Sequence, residues 1–93
     1  MATAGSATVG SASDTNIYTS LDGCSEFFVA CMSTSSNPVL VNVPGLHAAG
    51  EYVTIEVSKE MVFTHNRLGI KVVKVKGSGG DAIITYGVAG IVL

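Results

Sequence analysis

The sequence predicts an all-β fold, a small antiparallel β-sandwich or barrel of six to seven short strands with an extended N-terminal arm over residues 1–20. Three observations predict it. Short runs rich in Val, Ile, Thr, Tyr and Phe recur from residue 17 onward, separated by Gly, Pro, Asn, Asp and Ser, the punctuation of turns between strands. No stretch carries a convincing helix. Residues 1–16 are mostly Ala, Ser, Thr and Gly with one large aliphatic, Val9, too little apolar surface to build a core.

The arm comes first. A segment of that composition is ordered only when something holds it, and a neighbouring subunit is the simplest holder. Residues 17–20 (IYTS) read as a short strand or as the arm's first anchor, and Leu21-Asp22-Gly23 as a turn. Residues 24–32 (CSEFFVACM) read as one strand. Alternation puts Phe27, Val29 and Cys31 on one face and Phe28, Ala30 and Met32 on the other, so both faces are expected to be at least partly covered. A polar loop over 33–38 leads to a strand at 39–43 (VLVNV), with its three valines inward and Leu40 and Asn42 opposite.

After Pro44-Gly45 and a loop over 46–50, residues 51–57 (EYVTIEV) alternate cleanly, Val53, Ile55 and Val57 facing in. A short connector at 58–60 and a returning strand at 61–64 make a hairpin with it. A second hairpin is centred on Gly77-Ser78-Gly79-Gly80, between strands at 70–76 and 81–86; glycine accepts the positive φ that a tight reversal needs. The rest of the chain is expected to organise around this hairpin. Residues 87–93 end on Ile91, Val92 and Leu93. At about 25 cal/mol per Å2, burying these three side chains is favourable by several kcal/mol, so a last strand is expected there, in its own sheet or a partner's.

Ninety-three residues make one domain, which divides here into the arm (1–20) and the strand-rich body (21–93). Charged residues are only 13%, against about 25% in ordinary soluble domains. Such a surface is poorly defended against association. It fits an exposed domain with a polar uncharged skin or, better, a subunit covered by neighbours. Net charge is −2 and the five basic residues form no run, which argues against nucleic acid. Lys71, Lys74 and Lys76 read as solvated edge lysines that discourage strand addition. No apolar run reaches the ~18 residues of a membrane helix, and the N-terminus has no secretory pattern. Synthesis in a cytosol is expected. Cys24 and Cys31 would lie ~23 Å apart along one extended strand, too far to bridge, and read as free thiols.

The residues that carry chemistry elsewhere do not assemble into a pattern. His47 and His65 lack metal spacing, and a His47–Glu51 pairing reads more simply as two loop residues. A cysteine–histidine nucleophile has no third residue to orient it. Asp22, Glu51, Glu56, Glu60 and Asp81 lack the density of a calcium loop. The glycine run lacks the lysine and helix of a phosphate loop. Tyr18, Tyr52 and Tyr86 are candidates for a carbohydrate groove, although Tyr52 and Tyr86 suit a cross-strand pair better. The expectation is a protein that is not an enzyme, with no catalytic residue, cofactor or metal.

The stretches VNVPGLHAAGEYVTIEVSKEMVF and GIKVVKVKGSGGDAIITYGV resemble small all-β structural proteins of tailed bacteriophage virions, of the decoration, cement or head–tail attachment type. The shared features are a strand before a Pro-Gly loop, a Glu-led hairpin and a VKGxGG…YGV close, over about half the chain. The resemblance implies a virion component, made in the host cytoplasm, that works by binding. Its partners would be copies of itself, with a trimer as the expectation, and other virion proteins such as a major capsid protein. The arm and tail would supply the assembly contacts, through Val9, Ile17, Tyr18, Ile91, Val92 and Leu93. The rival expectation is a ligand-binding β module that recognises carbohydrate.

Overall fold

A computed structural model describes residues 4–65 and 69–90. They form eight strands: β1 (Ala4–Val9), β2 (Thr15–Cys24), β3 (Glu26–Cys31), β4 (Val39–Asn42), β5 (Val53–Ile55), β6 (Glu60–Thr64), β7 (Ile70–Gly77) and β8 (Ala82–Val88). Two four-stranded antiparallel sheets result. Sheet A has the order β1-β8-β3-β6 and sheet B the order β2-β7-β4-β5. Of the seven connections, only β4–β5 joins neighbours in one sheet; the other six cross between sheets. This strand order is that of a jelly roll, two interlocked Greek keys folded into a sandwich.

The all-β expectation holds, as a sandwich of eight strands and not six or seven. The expected extended arm is corrected over residues 4–20. Ala4 to Val9 pair in unbroken register with Gly87 to Ala82 of the same chain, and most of the remainder belongs to β2. One of the small residues of that segment, Gly5, is a fit to Tyr86. A Cβ on Gly5 would lie 2.8 Å from the Tyr86 hydroxyl oxygen, so a larger residue there would have to displace the end of the Tyr86 side chain. Val9, 1% exposed, then closes the core at the far end of the strand.

Both expected hairpins are corrected as well. β5 lies in sheet B and β6 in sheet A, while β7 and β8 are central strands of opposite sheets. The glycine run is therefore a corner between layers. Gly77 N–H donates to Gly10 O and Ser78 N–H to Pro38 O, both at 2.9 Å. The turn is so tight that a Cβ on Gly77 would collide with the Gly80 carbonyl. Leu21-Asp22-Gly23 lies within β2, where the register against β7 shifts between Thr19 and Cys24 and Gly23 has φ 86°. It is a bulge, not a turn.

The run at 24–32 divides at Ser25. Cys24 ends β2 in sheet B and Cys31 ends β3 in sheet A, so both thiols are free and face the core. The core is the space between sheets, filled chiefly by Phe27, Val29, Val39, Val41, Val43, Ile70, Val73, Val75 and Ile84, each fully buried. Phe27 sits at its centre, 4.9 Å from the Tyr18 ring and 6.1 Å from that of Tyr86.

Candidate functional site

The two outer faces of the sandwich differ in chemistry, and strict alternation in the sheets is the cause. In sheet A, Phe27, Val29 and Cys31 point inward, so Glu26, Phe28 and Ala30 point out. The register carries this across the sheet. One row runs Ala4–Gly87–Phe28–Val62 through all four strands, the next Ser6–Thr85–Ala30–Glu60, and Thr8 lies beside Ile83. Phe28, Ala30, Ile83 and Thr85 are only half-buried and Val62 is 45% exposed. The charges on this face, Glu26 and Glu60, flank the Phe28 row on either side. Its middle is apolar or small.

Sheet B turns a polar face outward. Asn16, Lys74 and Asn42 form one row, and Lys76, Leu40 and Thr54 the next. The Lys76 ammonium lies 4.5 Å from the centre of the Tyr52 ring, and the Tyr52 hydroxyl donates to Asp14 Oδ1 at 2.8 Å. Acceptance by Asp14 holds the Tyr52 hydroxyl above its ordinary value. The expectation of edge lysines is corrected, because β7 is an interior strand flanked by β2 and β4.

The loop between β4 and β5 is held by side chains. Asn42, 5% exposed, donates both Nδ2 protons, to Ala48 O at 2.8 Å and Glu51 O at 2.6 Å. His47 Nδ1 accepts from Val43 N–H at 2.9 Å, with its ring edge-on to Phe63. Glu51 Oε1 accepts from Ala48 N–H at 3.1 Å. His47 and Glu51 thus each serve the loop backbone.

The cysteines are placed for packing. Cys24 Sγ–H points to Ile70 O and Cys31 Sγ–H to Asn37 O. Burial pushes the Cys24 thiol up, away from the depressed value of a reactive thiolate. Among the described residues no three His, Cys, Asp or Glu side chains gather as a metal site, and no cleft opens.

The residues expected to make assembly contacts are relocated. Val9, Ile17 and Tyr18 are 1%, 5% and 3% exposed and belong to the chain's own core, which corrects their assignment to a neighbour. Ile91, Val92 and Leu93 lie outside the described residues. The tyrosines do not converge on a groove. Tyr18 is buried, Tyr86 packs against Phe27, and Tyr52 stands on the other sheet's outer face. The Tyr52–Tyr86 cross-strand pair is likewise absent, since Tyr86 faces Gly5 and Val29.

Phe28, Val62 and Ile83 are the surface residues that sequence reasoning did not select. The signal was present: residues 27–32 are apolar on both faces. No family of known proteins matches this chain, nor does any curated protein or solved structure.

Proposed function

We propose that this protein works by contact and not by catalysis, as a structural subunit of a phage-like virion. In this reading it lays the outer face of sheet A against larger virion proteins such as a major capsid protein. The observation that carries the reading is the apolar Phe28–Val62 row on the outer face of sheet A, which has Glu26 and Glu60 on its two sides. One sheet presents Lys74, Lys76 and Asp14 to water, and the other presents the Phe28–Val62 row and its small neighbours. An apolar row between two carboxylates, on a domain with so little charge, suits a protein surface. The jelly-roll strand order adds analogy alone, since that architecture serves viral capsid proteins and lectins alike. We favour the virion reading because of the sequence resemblance to phage structural proteins.

The test is composition. Particles purified from the phage whose genome encodes the chain should contain it in fixed proportion to the capsid protein by mass spectrometry. Phe28→Ser should remove it from the particle while leaving the free domain folded. Particles that lack the chain would overturn the virion assignment.

A further inference from the structure

We propose that β6 is a self-pairing edge. Two copies of the chain join antiparallel through β6 about a twofold axis at Val62, making sheet A one continuous eight-stranded sheet. This inference stands apart from the virion reading and concerns the chain alone.

A two-sheet sandwich leaves four open strand edges, and proteins usually blunt them. β5 is blunted by length, at three residues. β2 is blunted by two irregularities in its register. β1 is regular, but its outward side chains are Ala4, Ser6 and Thr8, with little apolar area to bury. β6 has none of these protections within Glu60–Thr64, although an irregularity adjoins it where Ser58 N–H and Lys59 O both pair with Cys31. Its five residues run in unbroken register with β3 and contain no Pro, Gly or Lys, and Met61 and Val62 are 38% and 45% exposed.

Hydrogen-bond parity selects the register. Cys31 N–H donates to Lys59 O at 2.9 Å, and His65 N–H donates to Ser25 O at 3.1 Å. Lys59 and His65 therefore turn backbone groups toward β3, and by antiparallel alternation so do Met61 and Phe63. Glu60, Val62 and Thr64 then turn their N–H and C=O groups outward, where β6 has no partner strand among the described residues. A twofold axis at Val62 places Val62 opposite itself and Glu60 opposite Thr64 of the second copy. Every outward group on the strand finds a partner. Shifting one copy by two residues loses part of this ladder and sets Glu60 against Val62.

The side chains agree with that register. Val62 meets Val62 on the outer face, a β-branched pair that joins the Phe28 row of one copy to that of the other. Met61 meets Phe63 on the inner face. The two Glu60 carboxylates sit at opposite ends of the ladder, so no like charges face each other. Such a contact closes at two copies, in place of the trimer expected from the sequence. A ladder this short falls below the roughly 1,000 Å2 of a stable interface. The free dimer is therefore weak, in the micromolar range or above, and tightens when a larger body holds copies side by side.

Sedimentation velocity over a concentration series tests this, with hydrogen exchange at the Val62 amide read in parallel. The expected result is a monomer–dimer equilibrium in which Val62 exchange slows as dimer forms. Val62→Lys should weaken dimerisation at least tenfold by setting two ammonium groups opposite each other. Val62→Pro should do the same by removing an N–H that β3 does not use. Circular dichroism establishes that each variant is folded, and Val62→Lys alone decides the matter if the proline variant is not. A strict monomer, a trimer, Val62 exchange independent of concentration, or a dimer indifferent to Val62→Lys would each overturn the proposal. So would a dimer lost on Ser6→Lys alone, which would assign the β1 edge instead.

Discussion

Replacing Asn42 tests whether one side chain holds the β4–β5 loop. Asn42 is 5% exposed and spends both amide protons on the carbonyls of Ala48 and Glu51, at 2.8 and 2.6 Å. Asn42→Ala removes two hydrogen bonds, each worth about 0.5–1.5 kcal/mol net, for a loss of about 1–3 kcal/mol. For a domain of this size, a loss of about 2 kcal/mol lowers Tm by roughly 8–16 °C. Asn42→Asp keeps the shape but presents acceptors to acceptors. It leaves an uncompensated buried charge, and the loss at neutral pH rises to about 3–5 kcal/mol.

The aspartate variant also carries a pH signature. Burial and the two facing carbonyls disfavour its charged form, so its folded pKa lies above the unfolded value of about 3.9. Stability is then greatest below that unfolded value, where the acid is protonated and can donate one bond, and is lost as pH rises through the folded pKa. Urea unfolding of the natural chain and both variants, near pH 4 and near pH 7, reads all of this. An Asn42→Asp variant as stable as the natural chain at neutral pH would refute the reasoning, because no arrangement of that loop could then depend on the two donated protons.

Three further outcomes follow from the packing. Gly77→Ala should destabilise more than Gly79→Ala in thermal melts. A Cβ at Gly77 meets the Gly80 carbonyl, whereas one at Gly79 meets only open space and the strain of φ 79°; equal losses would show that the corner between layers can relax. Phe27→Ala should cost about 3–5 kcal/mol of stability as the largest fully buried side chain. Phe28→Ser, one residue on and half-exposed, should cost far less, and equal urea midpoints for the two would contradict the assignment of faces. Burial pushes both the Tyr18 hydroxyl and the Cys24 thiol above their ordinary values of 10.0 and 9.0. The stability tied to their protonated forms is whole below about pH 9 and falls as pH climbs past it, so urea midpoints should drop between about pH 7 and pH 10.5. A flat profile would mean that neither group is desolvated.

The period-2 pattern made the strands legible and left the sheets hidden. Val39, Val41 and Ile55 fall at inward positions of the period-2 pattern and face the core as expected. The pattern says nothing about which strand lies beside which. Two runs joined by a glycine-rich link look the same whether the chain turns back within a sheet or steps to the other layer. The Gly77 corner was therefore read as a hairpin, and the β5–β6 link likewise.

β1 was missed for a different reason. Composition measures what a segment can bury by itself, and Gly5 and Ala7 bury little. Gly5 is instead complementary to Tyr86, 81 positions further along the chain, and no local window reaches that far. The outward row of Phe28 and Val62 was half visible, because an apolar strand with no polar side announces two contacts and only one could be the core.

The place of β8 in sheet A bears on how the molecule is made. β8 sits between β1 and β3, and Ala4 finds its partner in Gly87. A ribosome producing this chain holds back the keystone until β1 to β7 have all been made. Until then the first strand has no bed to lie in and the sandwich cannot be built up in stages. Closure of sheet A therefore waits for β8 and is slowed by the sequence distance between β1 and β8.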